Sequence, residues 1–209
     1  MTPGKFISIE GGEGVGKTTQ ISALAEALRS KGLDVIITRE PGGTEGAEAV
    51  RQLILGGSAE RWEARAEALL FAAARSDHVE RLILPALESG KWVISDRFLD
   101  SSRAYQGGGS GLKDADIVEL HRIGSDGLLP DRTLILMLEE REAAARADER
   151  DDQRPDRIQG RGSDFHMQVH DSFRRYAEEE PERVRLIDAG GDSADITKRL
   201  LCEIEDLLA

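Results

Sequence analysis

A glycine-rich stretch near the start of the chain has the residue types and spacing of a phosphate-binding loop. Residues 11–18, GGEGVGKT, fit the pattern G-x-x-x-x-G-K-[ST] and follow the short apolar run 6–10. Glycines in such a loop let backbone N–H groups converge on phosphate oxygens, the lysine reaches the β- and γ-phosphates, and the final hydroxyl suits magnesium. The predicted nucleotide-binding residues are Gly11, Gly12, Glu13, Gly14, Val15, Gly16, Lys17, Thr18 and Thr19.

A second motif, WVISDR at 92–97, ends an apolar run with an acid and a base. A strand that ends in Asp96 places a carboxylate beside the nucleotide, where it suits magnesium or its water, and Arg97 suits a second anion. The alternative is an ordinary ion pair at a strand end. The chain lacks an N-K-x-D element for reading guanine, which argues against a GTPase.

The elements that must position these residues are five candidate strands. Runs that are nearly continuous in apolar character are typical of parallel strands covered on both faces, and they occupy 5–10, 34–40, 92–97, 132–139 and 183–189. Helix-length segments alternate with them at 17–31, 46–55, 60–87, 113–126, 140–151, 164–180 and 194–208. This alternation predicts a doubly wound α/β fold, a five-stranded parallel sheet with helices on both faces.

Composition limits the function classes. With 209 residues, 39% hydrophobic and 33% charged, the chain predicts one globular domain over 1–209. A net charge of -12 argues against a nucleic acid polymer or an anionic membrane as partner. No apolar run suits a signal peptide or a membrane span. The single cysteine, Cys202, lies in an apolar helical pattern, so we expect a buried thiol in a cytoplasmic protein.

Several blocks of the sequence together resemble bacterial thymidylate kinases of the type with an arginine-bearing lid. The blocks are EGGEGVGKTT, TREPGGT, LLFAAAR, DRFLDSSRAYQGGG, LLPDRT, DRI and DFH, in order over nearly the whole chain. The resemblance implies a P-loop kinase fold and transfer of the γ-phosphoryl group of ATP to thymidine monophosphate (dTMP). The products are ADP and thymidine diphosphate, a step in dTTP biosynthesis. It also implies Mg²⁺ and a homodimer.

TREPGGT and DSSRAYQG together are the specific part of this resemblance, which also implies a set of base-binding residues. Phe71 and Arg75 are four residues apart on a predicted helix and face the same way. The resemblance implies that Phe71 stacks on thymine and Arg75 donates to its O4; a core phenylalanine and a surface arginine are the alternative. It further implies that Ser102 and Gln106 contact the base and that Tyr105 packs where a 2′-hydroxyl would crowd it, with a core tyrosine as the alternative.

The acceptor phosphate is a dianion and requires bidentate donors. The resemblance implies three of them, Arg39, Arg51 and Arg97. Ion pairs of Arg39 and Arg51 with Glu40 and Glu48 are the alternative. Glu40 itself resembles a family residue close to the acceptor and magnesium.

Residues 146–162 form a strongly charged segment that is almost devoid of apolar side chains. Such a segment cannot bury itself, so we expect an exposed, mobile lid. Its arginines recur as if on one helical face, at Arg146, Arg150, Arg154, Arg157 and Arg161. A solvated charged helix is the alternative.

A lid arginine is expected to stabilise the migrating phosphoryl group, because the phosphate loop supplies only Lys17 and position 14 is glycine. Arg157 is the first candidate, with Arg150 or Arg154 second, and Arg146 is expected against adenine.

Two positions depart from the family pattern. Gln159 stands where glutamate is common after DRI, which leaves the internal pairing of the lid open, and Met137 replaces a common aspartate near a strand end. By the resemblance, Glu13 accepts a hydrogen bond from the 3′-hydroxyl of the acceptor sugar.

The sequence thus predicts a catalytic set of Lys17, Asp96, Arg97 and Arg157, with Thr18 and Asp96 toward magnesium. Two other functions remain open. One is a kinase for another nucleotide, and the other is a nucleotide-controlled switch or binding protein on the same fold.

Overall fold

The computed structural model describes residues 4–58, 60–138, 157–158 and 160–208. Its centre is a parallel sheet of five strands in the order β2-β3-β1-β4-β5. The strands are β1 Phe6–Gly11, β2 Val35–Arg39, β3 Trp92–Asp96, β4 Arg132–Met137 and β5 Val184–Asp188. The predicted five-stranded parallel sheet is confirmed.

Helices cover both faces of the sheet. They are α1 Lys17–Ser30, α2 Glu45–Leu55, α3 Ala64–His78, α4 Leu84–Glu88, α5 Leu99–Ser102, α6 Asp114–Ser125, α7 Ser163–Glu179 and α8 Ser193–Cys202. Turns of π-helix at Val79–Ile83 and Arg103–Gly109 continue α3 and α5, and Glu205–Leu208 is 3₁₀. None of these helices is both long enough and apolar enough to span a bilayer.

The central strand β1 shows why the strands carry apolar residues on both faces. Ile7 and Ile9 pack into a core with α1 and α8, whereas Phe6 points the other way into a core with Val93 and Phe98. Successive side chains of a strand point to opposite faces, so a strand with a helix layer on each side carries apolar residues on both of its faces.

The register of the strands assembles the site. Ile9 of β1 and Arg39 of β2 both lie opposite Asp96, the last residue of β3. The segments that follow β1, β2 and β3 therefore leave the sheet side by side at its carboxyl edge, which is where ligands bind in open α/β sheets.

Three local expectations were wrong. The helix predicted over 60–87 is instead α3, a π-helical turn and α4. Cys202 is exposed; it follows the buried Leu200 by two residues, about 200° around a helix, and so points away from the core. Within the predicted lid, Arg157 and Ile158 are buried, because Glu67 pairs with the arginine and the isoleucine packs in a core with Ile54.

Candidate active site

The phosphate-binding loop joins β1 to α1 in a conformation that requires glycine. Gly11, Gly14 and Gly16 all have positive φ, at 132°, 74° and 89°. A Cβ on Gly11 would also lie 2.5 Å from the carbonyl oxygen of Leu136. The loop therefore runs against β4 and delivers free backbone N–H groups at the start of α1, where the helix dipole favours an anion.

Lys17 is held at the base of this loop. Its Nζ donates to the carbonyl oxygens of Gly11, at 3.2 Å, and Gly12, at 2.7 Å. Burial, reinforced by the nearby charge of Arg97, lowers the pKa of Lys17 to about 8. An ammonium group with so little solvent around it gains strongly from a phosphate ligand. Thr18 is exposed at the adjoining position.

One cavity runs from this loop along the carboxyl edge of the sheet and brings together most of the predicted site. The predicted residues that line it are Glu13, Gly14, Gly16, Lys17, Thr18, Arg39, Glu40, Arg51, Phe71, Arg75, Asp96, Arg97, Ser102, Tyr105 and Gln106. Pro41, Leu55, Phe98, Ser101 and Ile158 complete the lining. Gly11, Gly12, Val15, Thr19 and Arg157 are not in the lining, and Arg146, Arg150, Arg154 and Gln159 lie outside the described residues.

Asp96 ends β3 and Arg97 follows it, and both residues line the cavity. Oδ1 of Asp96 is buried and has no hydrogen-bond partner in the described part of the chain. Arg97 has a left-handed backbone, φ 70°, which is uncommon for a residue with a side chain. Its guanidinium donates to Glu13 at 2.8 Å and to Ser101 at 3.1 Å. The partner of Arg97 is thus a residue of the phosphate loop.

This pairing determines the charge state of both groups. Burial alone would raise the pKa of Glu13, but Arg97 and Lys17 outweigh it and lower the pKa below its ordinary value. Burial likewise opposes the charge on Arg97, while Tyr105 and Glu13 outweigh it and raise the pKa of Arg97. Glu13 is therefore an anion at neutral pH, and any other anion that binds Arg97 would have to compete with it.

Glu10, which sequence reasoning missed, holds the segment that borders the cavity after Arg97. It is fully buried at the end of β1 and accepts hydrogen bonds from Ser8, Ser101 and the backbone N–H of Phe98. Burial, with the charge of Asp100, raises its pKa to about 7. Two of these bonds fix the segment just after Arg97. A charged residue in a largely apolar candidate strand was the available signal.

Arg39 and Arg51 enter the cavity from β2 and α2. Arg39 pairs with Glu48 at 3.1 Å, so the ion pair considered above as an alternative for Arg39 is present. Arg51 donates to the carbonyl oxygen of Pro41 at 2.6 Å. Glu40 pairs instead with Arg75, at 2.7 Å, and contacts His78 at 3.0 Å.

At the far end of the cavity, Arg75 is fully buried rather than a surface arginine. Its Nη2 donates to Ser102 at 2.8 Å and to the carbonyl oxygen of Phe98 at 3.1 Å, in addition to the pair with Glu40. Phe71, one turn earlier on α3, also faces the cavity. The two residues therefore place an aromatic ring beside a rigidly held guanidinium, which suits a planar base.

His78 was also missed. It is fully buried and links Glu40 to Thr38, with an Nε2 to Oγ1 distance of 2.7 Å. Its spacing of three from Arg75 puts both residues on one face of α3, and that spacing was visible in the sequence. The histidine holds Glu40, and Glu40 in turn holds Arg75.

Tyr105 and Gln106 lie on the π-helical turn that continues α5. The ring of Tyr105 packs under the guanidinium of Arg97, 4.9 Å from its centre, and burial raises the tyrosine pKa. Gln106 donates from Nε2 to Glu67 at 3.0 Å. Arg157, the predicted lid catalyst, is also bound to Glu67 and to the carbonyl oxygen of Ile54, at 2.9 Å. Its predicted catalytic role requires it to leave these partners.

Comparison with known proteins agrees with this geometry. Residues 9–200 match the family model described as thymidylate kinase. The thymidylate kinase of Rhizorhabdus wittichii is 59% identical over 206 residues, 99% of each chain. That of Afipia carboxidovorans is 44% identical over 207 residues, 99% of this chain and 91% of the relative.

Solved structures give the same result. The crystal structure of thymidylate kinase from Ehrlichia chaffeensis superposes with a TM-score of 0.76 at 34% identity, covering 99% of this chain and all of that one. A match of this extent in sequence and in structure leaves one assignment: the chain belongs to the thymidylate kinase family, ATP-dependent enzymes that phosphorylate dTMP.

Proposed function

We propose that the cavity binds the phosphates of ATP at the glycine-rich loop and dTMP between Phe71 and Arg97, and transfers the γ-phosphoryl group between them. The observation that carries this proposal is the continuity of the lining, from Lys17 and Thr18 at one end to Phe71, Arg75 and Gln106 at the other. A phosphate site alone would suit many nucleotide-binding proteins, whereas an adjoining base site suits a nucleotide as acceptor.

The reaction needs positioning more than acid–base chemistry. An oxygen of the dTMP phosphate attacks the γ-phosphorus, and the bond from that phosphorus to the β–γ bridging oxygen breaks, releasing ADP. The attacking oxygen is already anionic, so no strong general base is required. Lys17 neutralises charge on the β- and γ-phosphates, and Arg97 holds the acceptor phosphate, with Arg39 and Arg51 at its outer side.

Glu13 is assigned to the acceptor sugar. Its carboxylate reaches Arg97 from the phosphate loop and lines the cavity, so it lies between the two phosphate sites. When the acceptor phosphate takes over Arg97, the released carboxylate is placed to accept from the 3′-hydroxyl. Tyr105, packed under Arg97, would crowd a 2′-hydroxyl, which favours a deoxyribose.

Magnesium fits the residues present. No group of three or more His, Cys, Asp or Glu side chains in the described ranges would hold a metal by itself. Mg²⁺ in such enzymes is commonly held by one or two protein oxygens together with substrate phosphates. Thr18 and Asp96, whose Oδ1 is buried without a partner, supply those oxygens. The bound ion would neutralise charge on the transferring phosphates.

Two further predictions, the homodimer and the cytoplasmic location, rest on features outside the cavity. The homodimer is supported by exposed apolar residues on α3 and α6, namely Leu69, Val118 and Ile123, because exposed apolar patches mark interfaces. The cytoplasmic location is supported by the single cysteine.

A coupled assay with a panel of acceptors tests the proposal. We expect ADP release with ATP and dTMP, less with deoxyuridine monophosphate (dUMP), and little with thymidine or other monophosphates. Preference for another acceptor would make the enzyme a kinase for that nucleotide. A very low rate with every acceptor, together with a nucleotide-dependent protein partner, would favour a switch.

A further inference from the structure

One buried carboxylate, Glu67 on α3, joins the base end of the cavity to the described end of the 146–162 segment. It is completely buried and accepts from three donors. Gln106 donates from Nε2 at 3.0 Å, Arg161 donates from Nη2 at 2.6 Å, and Arg157 donates from its own Nη2. Glu67 is not in the cavity lining, so it acts on the cavity through Gln106.

The chemistry of these partners fixes which way the Gln106 amide faces. A carboxylate that accepts from two guanidinium groups offers only acceptor oxygens, so the amide must turn its NH₂ toward it. The carbonyl oxygen of Gln106 is then held at the opposite end of the group. That oxygen is buried and has no hydrogen-bond partner in the described part of the chain, although Gln106 lines the cavity. A buried acceptor in this state requires a donor from the ligand.

We propose that Glu67 is a positioning residue that sets the base selectivity of the acceptor site. It locks Gln106 with its carbonyl oxygen available to accept from N3–H of a pyrimidine that carries oxygen at both C2 and C4. The inference rests on the proposed function, since it assumes that a pyrimidine monophosphate occupies this end of the cavity.

The fixed pattern of one donor and one acceptor distinguishes the pyrimidines. Arg75 presents N–H groups, which match O4, and the carbonyl oxygen of Gln106 matches N3–H. Thymine and uracil offer both. Cytosine has an amino group at C4 and an unprotonated N3, so it meets a donor with a donor and an acceptor with an acceptor. A Gln106 amide free to turn would donate to the cytosine N3, and Glu67 prevents that turn.

Arg157 and Arg161 hold the carboxylate of Glu67, and through it the amide of Gln106, in a fixed position. Arg157 also donates to the carbonyl oxygen of Ile54 at 2.9 Å, and Arg161 donates to Ser110 at 2.8 Å and lies over the ring of Phe165. Both guanidiniums are thereby fixed on elements that surround the π-helical turn carrying Gln106. Arg157 and Arg161 thus contribute to acceptor selectivity although neither lines the cavity.

The test is the variant Glu67→Gln, assayed with saturating ATP on dTMP, dUMP and deoxycytidine monophosphate (dCMP). We expect the ratio of kcat/KM for dTMP over dCMP to fall about tenfold or more, because an amide at position 67 no longer dictates the orientation of Gln106. The change should lie mainly in KM for dTMP, since the phosphates are untouched. The ratio for dTMP over dUMP should stay constant, because both bases present the same N3–H and O4. If the substitution had merely loosened the pocket, the ratio for dTMP over dUMP would fall as well, because these two nucleotides differ only by a methyl group.

The matched control is Glu119→Gln, which removes a carboxylate paired with Arg122 on the surface of α6 and should leave both ratios unchanged. A second variant, Gln106→Met, removes the amide and should itself lower the ratio of dTMP over dCMP. Adding Glu67→Gln to it should then have no further effect on that ratio.

An unchanged dTMP over dCMP ratio in folded Glu67→Gln overturns the inference, as does a further fall in the double variant. If Glu67→Gln does not fold, an unchanged ratio in Gln106→Met overturns it. A wild-type enzyme inactive on dTMP overturns the proposed function as well, whereas an active wild type with Glu67-insensitive ratios overturns this inference alone.

Discussion

At the phosphate end of the cavity the contacts come from one continuous stretch of backbone, whereas at the base end they come from side chains on segments far apart in sequence. Residues 11–18 form the first by themselves, with Lys17 held by the carbonyl oxygens of Gly11 and Gly12. The second depends on buried pairs such as Arg75 with Glu40 and Gln106 with Glu67.

This difference between the two ends predicts that the phosphate end controls the reaction rate and the base end controls the choice of acceptor. Backbone donors and one lysine suit any nucleoside triphosphate, and they act on the charge that moves during the reaction. By the proposed function, side chains at the base end select the acceptor, and because they share partners, their substitutions should not be additive. Changes at the phosphate end are therefore expected to lower turnover, and changes at the base end to alter which acceptor is used.

The largest expected effect is at the phosphate end. Lys17→Ala should lower kcat about 10³-fold, because it removes a preorganised cation from the transferring phosphates. Steady-state kinetics with dTMP measures it, and Lys31→Ala, an exposed lysine at the end of α1, is the control. A loss confined to KM for ATP would make Lys17 only an anchor and would weaken the separation of rate from selectivity.

Arg97 lies where the two ends meet, and its removal should be the next largest effect. Arg97→Gln should lower kcat/KM for dTMP about 100-fold while changing KM for ATP little, since it loses a charge-assisted contact to the acceptor phosphate. Glutamine is uncharged but similar in length. An effect of equal size on both substrates would place Arg97 on the donor phosphates instead.

Glu13 belongs to the loop but is assigned to the acceptor, so it tests the boundary between the two ends. Glu13→Ala should raise KM for dTMP about tenfold through loss of one charged hydrogen bond. The 3′-deoxy analogue of dTMP is the matched control, because it has no hydroxyl to lose and should respond far less to the substitution. If only the affinity for ATP changed, Glu13 would act at the phosphate end and its assignment to the acceptor would be wrong.

The smallest expected effect is on pH dependence. The Lys17 ammonium is present below its pKa of about 8, so kcat/KM for ATP should fall by about half between pH 7 and 8 and more steeply above. The fall in kcat should occur at higher pH than the fall in kcat/KM, because bound phosphate favours the charged ammonium form of Lys17. A kcat/KM flat to pH 10 would contradict the assigned burial of Lys17.

The two ends also differ in how far the sequence predicts them. The loop is contiguous, so its pattern and position after a strand suffice. The sequence did not predict roles for Glu67, His78 and Glu10, because their hydrogen-bond partners are distant in sequence. Glu67 and Arg161, for example, are 94 residues apart. A pattern shows that a charged residue falls among apolar ones, but it does not identify the group that neutralises it.

The helical turns over 99–109 were missed for a related reason. Gly107, Gly108 and Gly109 are typical of a loop, yet Gly108 and Gly109 allow close packing of α7. A Cβ on Gly108 would lie 2.0 Å from Ser172 Oγ, and one on Gly109 would lie 2.4 Å from the ring of Phe165. Tertiary contact rather than local propensity selects glycine at positions 108 and 109, whereas the strands, apolar on both faces, were predicted from local pattern alone.

The exposed thiol of Cys202 allows the protein to be labelled at a single position. The chain contains a single cysteine, and that thiol is exposed at the end of α8, outside the cavity lining. A maleimide dye would therefore attach at one defined position without blocking either substrate. Mixing copies that carry donor and acceptor dyes would report whether two chains associate, and adding ATP or dTMP would show whether occupancy of the cavity alters that association.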